Sequence, residues 1–148
     1  MKLRIELTDG TTEDEVVIHC SNVDDNVKKL QEFIRNLSVP RITFYKDSQE
    51  FYLPLDDILF FETNGEQVFA HTTADAFKVK LRLYELEETL PKQFTRIAKG
   101  TIVNIKQIYA INRNLTSSSK ISFTGTHKHI YASRYYFNSL KQKMTVRG

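Results

Sequence analysis

At the start of the chain Leu3, Ile5 and Leu7 alternate with Arg4 and Glu6, the period of two that a strand with one wet face requires. Asp9-Gly10 offers a turn, and residues 15–20 supply a second run of strand character, so a hairpin is expected. The period then changes. Val23, Val27, Leu30, Ile34 and Leu37 recur at spacings of four, three, four and three, which puts them on one helical face. Ser21-Asn22 offers a cap, and Asp24 and Asp25 fall in the first turn, where the helix dipole favours acids. Pro40 marks a boundary. Residues 1–38 thus read as a small N-terminal ββα unit, and residues 39–148 as a second domain.

Beyond Pro40 the pattern becomes one of short strands. Residues 42–45, 50–54, 58–62, 68–72, 76–80, 95–97, 108–112, 120–124 and 127–132 alternate or are β-branched and aromatic. Asp47-Ser48, Asn64-Gly65, Thr73-Ala74, Ser117-Ser118 and Gly125-Thr126 punctuate them, the grammar of an all-β core. Two helices interrupt. Leu83, Leu86 and Leu90 give one before Pro91, and residues 136–144 give a basic helical turn or two at the end. Residues 101–105 fit a strand and a helical turn equally.

Composition adds two bounds. The 148 residues suffice for one domain with a small appendage, and the lone Cys20 leaves no internal disulfide, which fits a reducing compartment and makes the cytoplasm the expected location. No window approaches the roughly 18 apolar residues of a membrane helix, and the N-terminus has no signal-peptide core.

Charge changes the picture more. From Pro91 to Gly148 there are 11 Lys and Arg and no acid. The net +3 is therefore a C-terminal +11 against −8 in the preceding residues, an asymmetry that points to a polyanionic partner. Four of the cations, Arg96, Lys99, Lys106 and Arg113, lie in FTRIAKGTIVNIKQIYAINR, residues 94–113.

Catalytic and metal signatures are weak. Ser117-Ser118-Ser119-Lys120 has the S-x-x-K spacing but sits in a turn, without its helix or companion motifs. His127 and His129 share a strand face with no further ligand at zinc spacing. Asp56-Asp57 reads as a turn leading into a strand, Cys20 as a small core hydrophobe, and Tyr131, Tyr135, Tyr136 and Phe137 as core packing at a sheet edge rather than a base-stacking platform. No Walker A, dinucleotide or zincin motif occurs. Neither an enzyme nor a cofactor or metal is expected.

Several segments occur in a specific order: Asp57-Ile58-Leu59-Phe60-Phe61-Glu62, then LYELEETLP from Leu83 to Pro91, then FTRIAKGTIVN from Phe94 to Asn104, then Tyr131-Ala132-Ser133-Arg134. Across residues 41–144 this order resembles the LytTR family of bacterial DNA-binding domains, here without a receiver domain, since 38 residues are too few for one. The resemblance implies a mainly β fold of antiparallel stacked sheets with short helices that presents loops to successive DNA grooves. It also implies sequence-specific binding to direct repeats at promoters. On that pattern base contacts fall to Asn64, Gly65, Glu66, Gln67, Lys99, Gly100 and Arg134. Phosphate contacts fall to Arg96, Lys106, Arg113, Lys128 and Ser133. Where many members have His-x-Ser after the arginine, this chain has Ala98-Lys99-Gly100, so the recognised sequence should differ from theirs.

The expected partner is double-stranded DNA bound by a homodimer, with no small-molecule substrate. The apolar stripe of residues 1–38 suits completion of the core, dimerisation, or reception of an inhibitory partner such as a membrane protein. The alternative function is a protein-interaction module whose basic face docks an acidic partner. Salt-dependent, sequence-selective duplex binding separates the two.

Overall fold

The computed structural model describes residues 1–10, 14–37 and 41–146, which fall into two compact units divided after Leu37. Pro40 and Arg147 lie outside the described residues.

In the first unit, helix α1 spans Asp25–Leu37. Its cap is Asp24 rather than the expected Ser21-Asn22: the Asp24 carboxylate accepts the Val27 N–H at 2.9 Å, satisfying a donor the first turn leaves free. Val27, Leu30 and Ile34 are half-buried, while Val23 and Leu37 stay exposed. The expected strands do not form. Residues 1–8 and 14–20 are not paired as strands, and Leu3, Ile5, Leu7, Val16 and Val17 are exposed. A two-stranded hairpin is marginal without a further layer to cover its apolar face. The ββα expectation is therefore corrected to one helix, with no strand among the described residues ahead of it.

The second unit holds two antiparallel sheets. The larger has seven strands in the order β2-β1-β5-β4-β3-β7-β6: β1 Phe44–Lys46, β2 Gln49–Phe51, β3 Phe60–Asn64, β4 Gln67–His71, β5 Ala76–Val79, β6 Phe94–Ala98 and β7 Thr101–Asn104. The smaller has β8 Ile108–Asn112, β9 Ser119–Phe123 and β10 His129–Ala132 in the order β10-β9-β8. Helix α2, Leu83–Thr89, lies between β5 and β6, and α3, Arg134–Thr145, follows β10. The open stretch at 101–105 resolves into β7 and a 3₁₀ turn, Ile105–Gln107. The strand expected from 58 begins at Phe60, because Leu55–Asp57 first make a 3₁₀ turn that contains the Asp56-Asp57 pair.

Both faces of the large sheet are covered, so consecutive side chains of β3 enter different cores. Phe61 packs with Phe44, Val68, Phe77, Ile102 and the α2 residues Leu83 and Leu86. Phe60 packs on the other side with Ile97, Val103, Ile121, Phe123 and Ile130, beneath Phe137 and Leu140 of α3. Its ring stacks on Phe123 of the small sheet with centroids 5.5 Å apart. Each such side chain withdrawn from water contributes about 2 kcal/mol. The two cores fix the large sheet as a rigid base whose turns project at either end.

Candidate nucleic-acid interface

The β3–β4 turn is as tight as a hairpin allows. Asn64 pairs with Gln67, leaving Gly65 and Glu66 as a two-residue loop, and Gly65 takes φ +67°, which glycine adopts without steric cost. All four residues are exposed. Next to it in the sheet, β7 pairs with β3 through Glu62 and Thr101, and the Thr63 N–H donates to the Gly100 carbonyl at 2.9 Å. The β6–β7 turn, with Lys99 exposed at its tip, is thereby placed beside Asn64 at the same end. The two turns approach closely: a Cβ at Gly100 would lie 2.5 Å from Thr63 Oγ1, so a side chain there would displace the Thr63 hydroxyl.

The third piece arrives from the small sheet. The Ser133 N–H donates to the Ile97 carbonyl at 2.8 Å, which seats the start of α3 on β6 just before the Lys99 turn. Ser133 caps the helix, accepting the Tyr136 N–H, and Arg134, its first residue, is exposed. The Arg113 guanidinium lies over the Phe137 ring at 4.9 Å, near the same helix start. One end of the domain thus gathers Asn64–Gln67, Lys99–Gly100, Arg113, Ser133 and Arg134, together with the positive end of the α3 dipole. Arg96 is directed to this end too, but its guanidinium is engaged by Glu87 and by the carbonyls of Ala98 and Lys99.

Lys106 and Lys128 are not brought there. Lys106 follows β7, which runs away from the Lys99 turn for three residue steps, about 10 Å, and it sits exposed in the 3₁₀ turn. Lys128 is joined to the opposite end of β4: its ammonium donates to the Asp75 carbonyl at 2.7 Å and meets His71 Nδ1 at 3.2 Å. His71 Nε2 in turn lies 3.0 Å from Glu62 Oε1, and the His71 ring stacks on Phe60 at 4.3 Å. Lys128 therefore ties the β9–β10 loop to the large sheet.

This polar cluster gives stability a pH dependence. Burial, aided by the Lys128 ammonium, pushes the His71 imidazole down to about 4, although the Glu62 carboxylate favours its protonation. Burial raises the Glu62 carboxyl, against the pull of Lys128. An unfolded chain takes up the His71 proton near pH 6.5 and the folded one only near 4, so His71 favours folding above this window and its contribution is lost as pH falls through it. The full shift corresponds to about 3 kcal/mol, partly offset by Glu62, which protonates earlier in the folded state. Melting temperature is therefore expected to fall between pH 7 and 4.5 in the native protein, and to fall less in His71→Gln. Parallel curves for the two would remove His71 as the cause.

One residue of this surface escaped the sequence reading. Val68 pairs with Val79, so the next position, Lys80, falls across from Gln67 and extends the row of Asn64 and Gln67 toward the sheet edge. Its ammonium sits over the Tyr45 ring at 4.5 Å. Lys80 lies in the acidic part of the chain, and only strand pairing brings it here; its place on an alternating strand was the one available signal. Elsewhere, Ser119 is buried and its Oγ accepts the Asn114 N–H at 3.0 Å, a loop-fixing role. His127 and His129 are exposed, and among the described residues no group of three or more His, Cys, Asp or Glu is placed to hold a metal ion.

Two sheets with turns and a helix start projecting from one end invite comparison with known domains, and residues 48–145 match the LytTr DNA-binding domain family. The chain belongs to that family. A solved LytTr DNA-binding domain from Bacillus cereus superposes with a TM-score of 0.65 over 71% of this chain and 97% of its own, at 20% identity, so the LytTr architecture is shared. Proteins of Staphylococcus aureus strains NCTC 8325 and COL, named as uncharacterized HTH-type transcriptional regulators, are 31% identical over 147 residues, 99% of each chain. The similarity to them takes in the residues ahead of the LytTr domain. The helix-turn-helix of their name has no counterpart among the described residues here, where strands separate the three helices. No helix among those residues is long and apolar enough to cross a membrane.

Proposed function

We propose that this protein is a bacterial transcription regulator that acts in the cytoplasm and reads duplex DNA at promoter direct repeats through the turn-bearing end of its LytTr domain. The observation that carries this reading is the convergence of the β3–β4 turn, the β6–β7 turn and the start of α3 at one end of a family domain built for DNA. In this reading Asn64, Gly65, Glu66, Gln67, Lys99, Gly100 and Arg134 face base edges. Arg offers a fork to guanine O6 and N7, Asn and Gln pair with adenine, and a carboxylate accepts from the cytosine amino group. Arg113, Ser133 and Lys80 face phosphates, which set affinity and register rather than sequence. Lys106 and Lys128, at the other end, are left out of this face.

Two protomers on paired repeats suit the first unit, whose exposed Leu3, Ile5, Leu7, Val16 and Val17 support a protomer contact. Such apolar surface is what an unpaired partner-binding element presents. The same surface suits an inhibitory partner.

Selection from a randomised duplex pool at about 150 mM salt, followed by salt titration on the winning site, tests the function. Spaced direct repeats are expected to be enriched, with log K falling by roughly 0.9 per phosphate neutralised. Equal retention of every duplex would favour the acidic protein partner instead.

A further inference from the structure

We infer that Arg96 and Glu87 form a clamp that positions the Lys99–Gly100 turn, so that Arg96 acts on DNA recognition through the turn and not by touching phosphate. The inference rests on the DNA reading above and assigns a different task to a residue that sequence pattern alone places among the phosphate contacts.

The clamp follows from a defect in the sheet. Between Arg96 and Ala98 the register of β6 against β7 slips by one residue. A bulge of this kind leaves part of the ladder unpaired and re-aims the chain beyond it. The carbonyls of Ala98 and Lys99, which follow the slip, are taken up by one side chain. Arg96 Nε donates to the Ala98 carbonyl at 3.2 Å, and Nη2 donates to the Lys99 carbonyl. The third nitrogen, Nη1, is held by Glu87 Oε2 at 2.7 Å. All three guanidinium nitrogens are thus committed, and the Arg96 side chain is only 21% exposed. A planar fork with several fixed donors can do this; an ammonium on a flexible stem cannot.

Glu87 gives the clamp a fixed base. It belongs to α2, whose Leu83 and Leu86 are buried in the core, and whose start is held by the Arg82 N–H donating to Glu85 Oε1 at 3.1 Å. From the other side the Thr63 N–H holds the Gly100 carbonyl. The turn that carries Lys99 is therefore gripped between β3 and α2. An acid this close to a DNA-facing turn is unfavourable for phosphate approach unless it is spent on such a partner, and Glu87 is spent on Arg96.

The test uses the full chain and the duplex selected by the wild type, with a scrambled duplex as reference. Glu87→Gln removes a negative charge, so charge alone would strengthen binding. The clamp instead predicts that specific affinity falls by about 10-fold, the discrimination carried by one base contact, while scrambled-duplex binding and the salt slope stay as in the wild type. Arg96→Lys keeps the cation but loses the fork and is expected to behave the same way. An unchanged or higher specific affinity in Glu87→Gln would overturn the clamp. So would a salt slope lowered by roughly 0.9 in Arg96→Gln, the mark of a lost phosphate contact. Equal loss on both duplexes with a lowered melting temperature would reduce the pair to a fold-stabilising contact and overturn it as well. Failure of the wild type to select any site would instead overturn the DNA reading, and that is seen before a variant is made.

Discussion

Arg134→Ala is expected to weaken binding to the selected duplex about 10- to 100-fold, the range for losing one bidentate base contact. Arg134 is the first residue of α3 and is exposed, and the helix start beneath it is fixed by the Ser133 cap and by the Ser133 N–H on Ile97. A guanidinium on a rigid base loses little freedom on binding, which is what makes a contact count. Removing a cation from a helix N-terminus does not oppose folding, since the dipole there favours acids. Melting temperature should therefore hold. Specificity should relax at one position of each repeat, measured by titrating singly substituted duplexes. A uniform loss on all duplexes with a shallower salt slope would make Arg134 a phosphate contact, and an unchanged affinity would take it out of the interface.

Asn104→Leu is expected to act in the opposite way, lowering stability and leaving the affinity of folded molecules alone. Asn104 is fully buried at the end of β7. Its Nδ2 donates to the Ile58 carbonyl at 2.9 Å, and its Oδ1 accepts the Lys106 N–H at 3.1 Å and Gln93 Nε2 at 3.3 Å. Leucine fills similar space but takes these partners away. Leaving buried polar groups without a partner costs about 1–3 kcal/mol each, so a total of roughly 2–4 kcal/mol is expected. At about 4 °C per kcal/mol for a domain of this size, melting should fall by roughly 8–16 °C. Loss of DNA binding at an unchanged melting temperature would instead make Asn104 part of the readout. The distinction bears on the Ile102-Val103-Asn104 motif, which helps to identify the family but whose asparagine faces inward.

Much of the second unit was legible residue by residue. The continuous apolar run from Ile58 to Phe61, the spacing of Leu83 and Leu86, and the punctuation at Asn64-Gly65 each report a local pattern or a local backbone need, which a single segment carries by itself. The same local signal misled at the N-terminus. Leu3, Ile5 and Leu7 have a strand's period, but a strand also needs a neighbour and a covering layer, neither of which is written in the segment.

By itself, the sequence determined the class of fold, the position of most elements, the basic character of the C-terminal part and the resemblance that names DNA as the partner, because composition, periodicity and ordered motifs are properties of the chain alone. Tertiary structure decided which cations share a surface. Strand register carries Lys80 from an acidic stretch to the row of Asn64 and Gln67, and draws Lys128 away to His71 and Asp75 at the other end. It also turned Arg96 from a free charge into a clamp, since a guanidinium's task depends on the carbonyls and carboxylate that folding brings within reach. Pairing joins residues distant along the chain, and no local pattern encodes that distance.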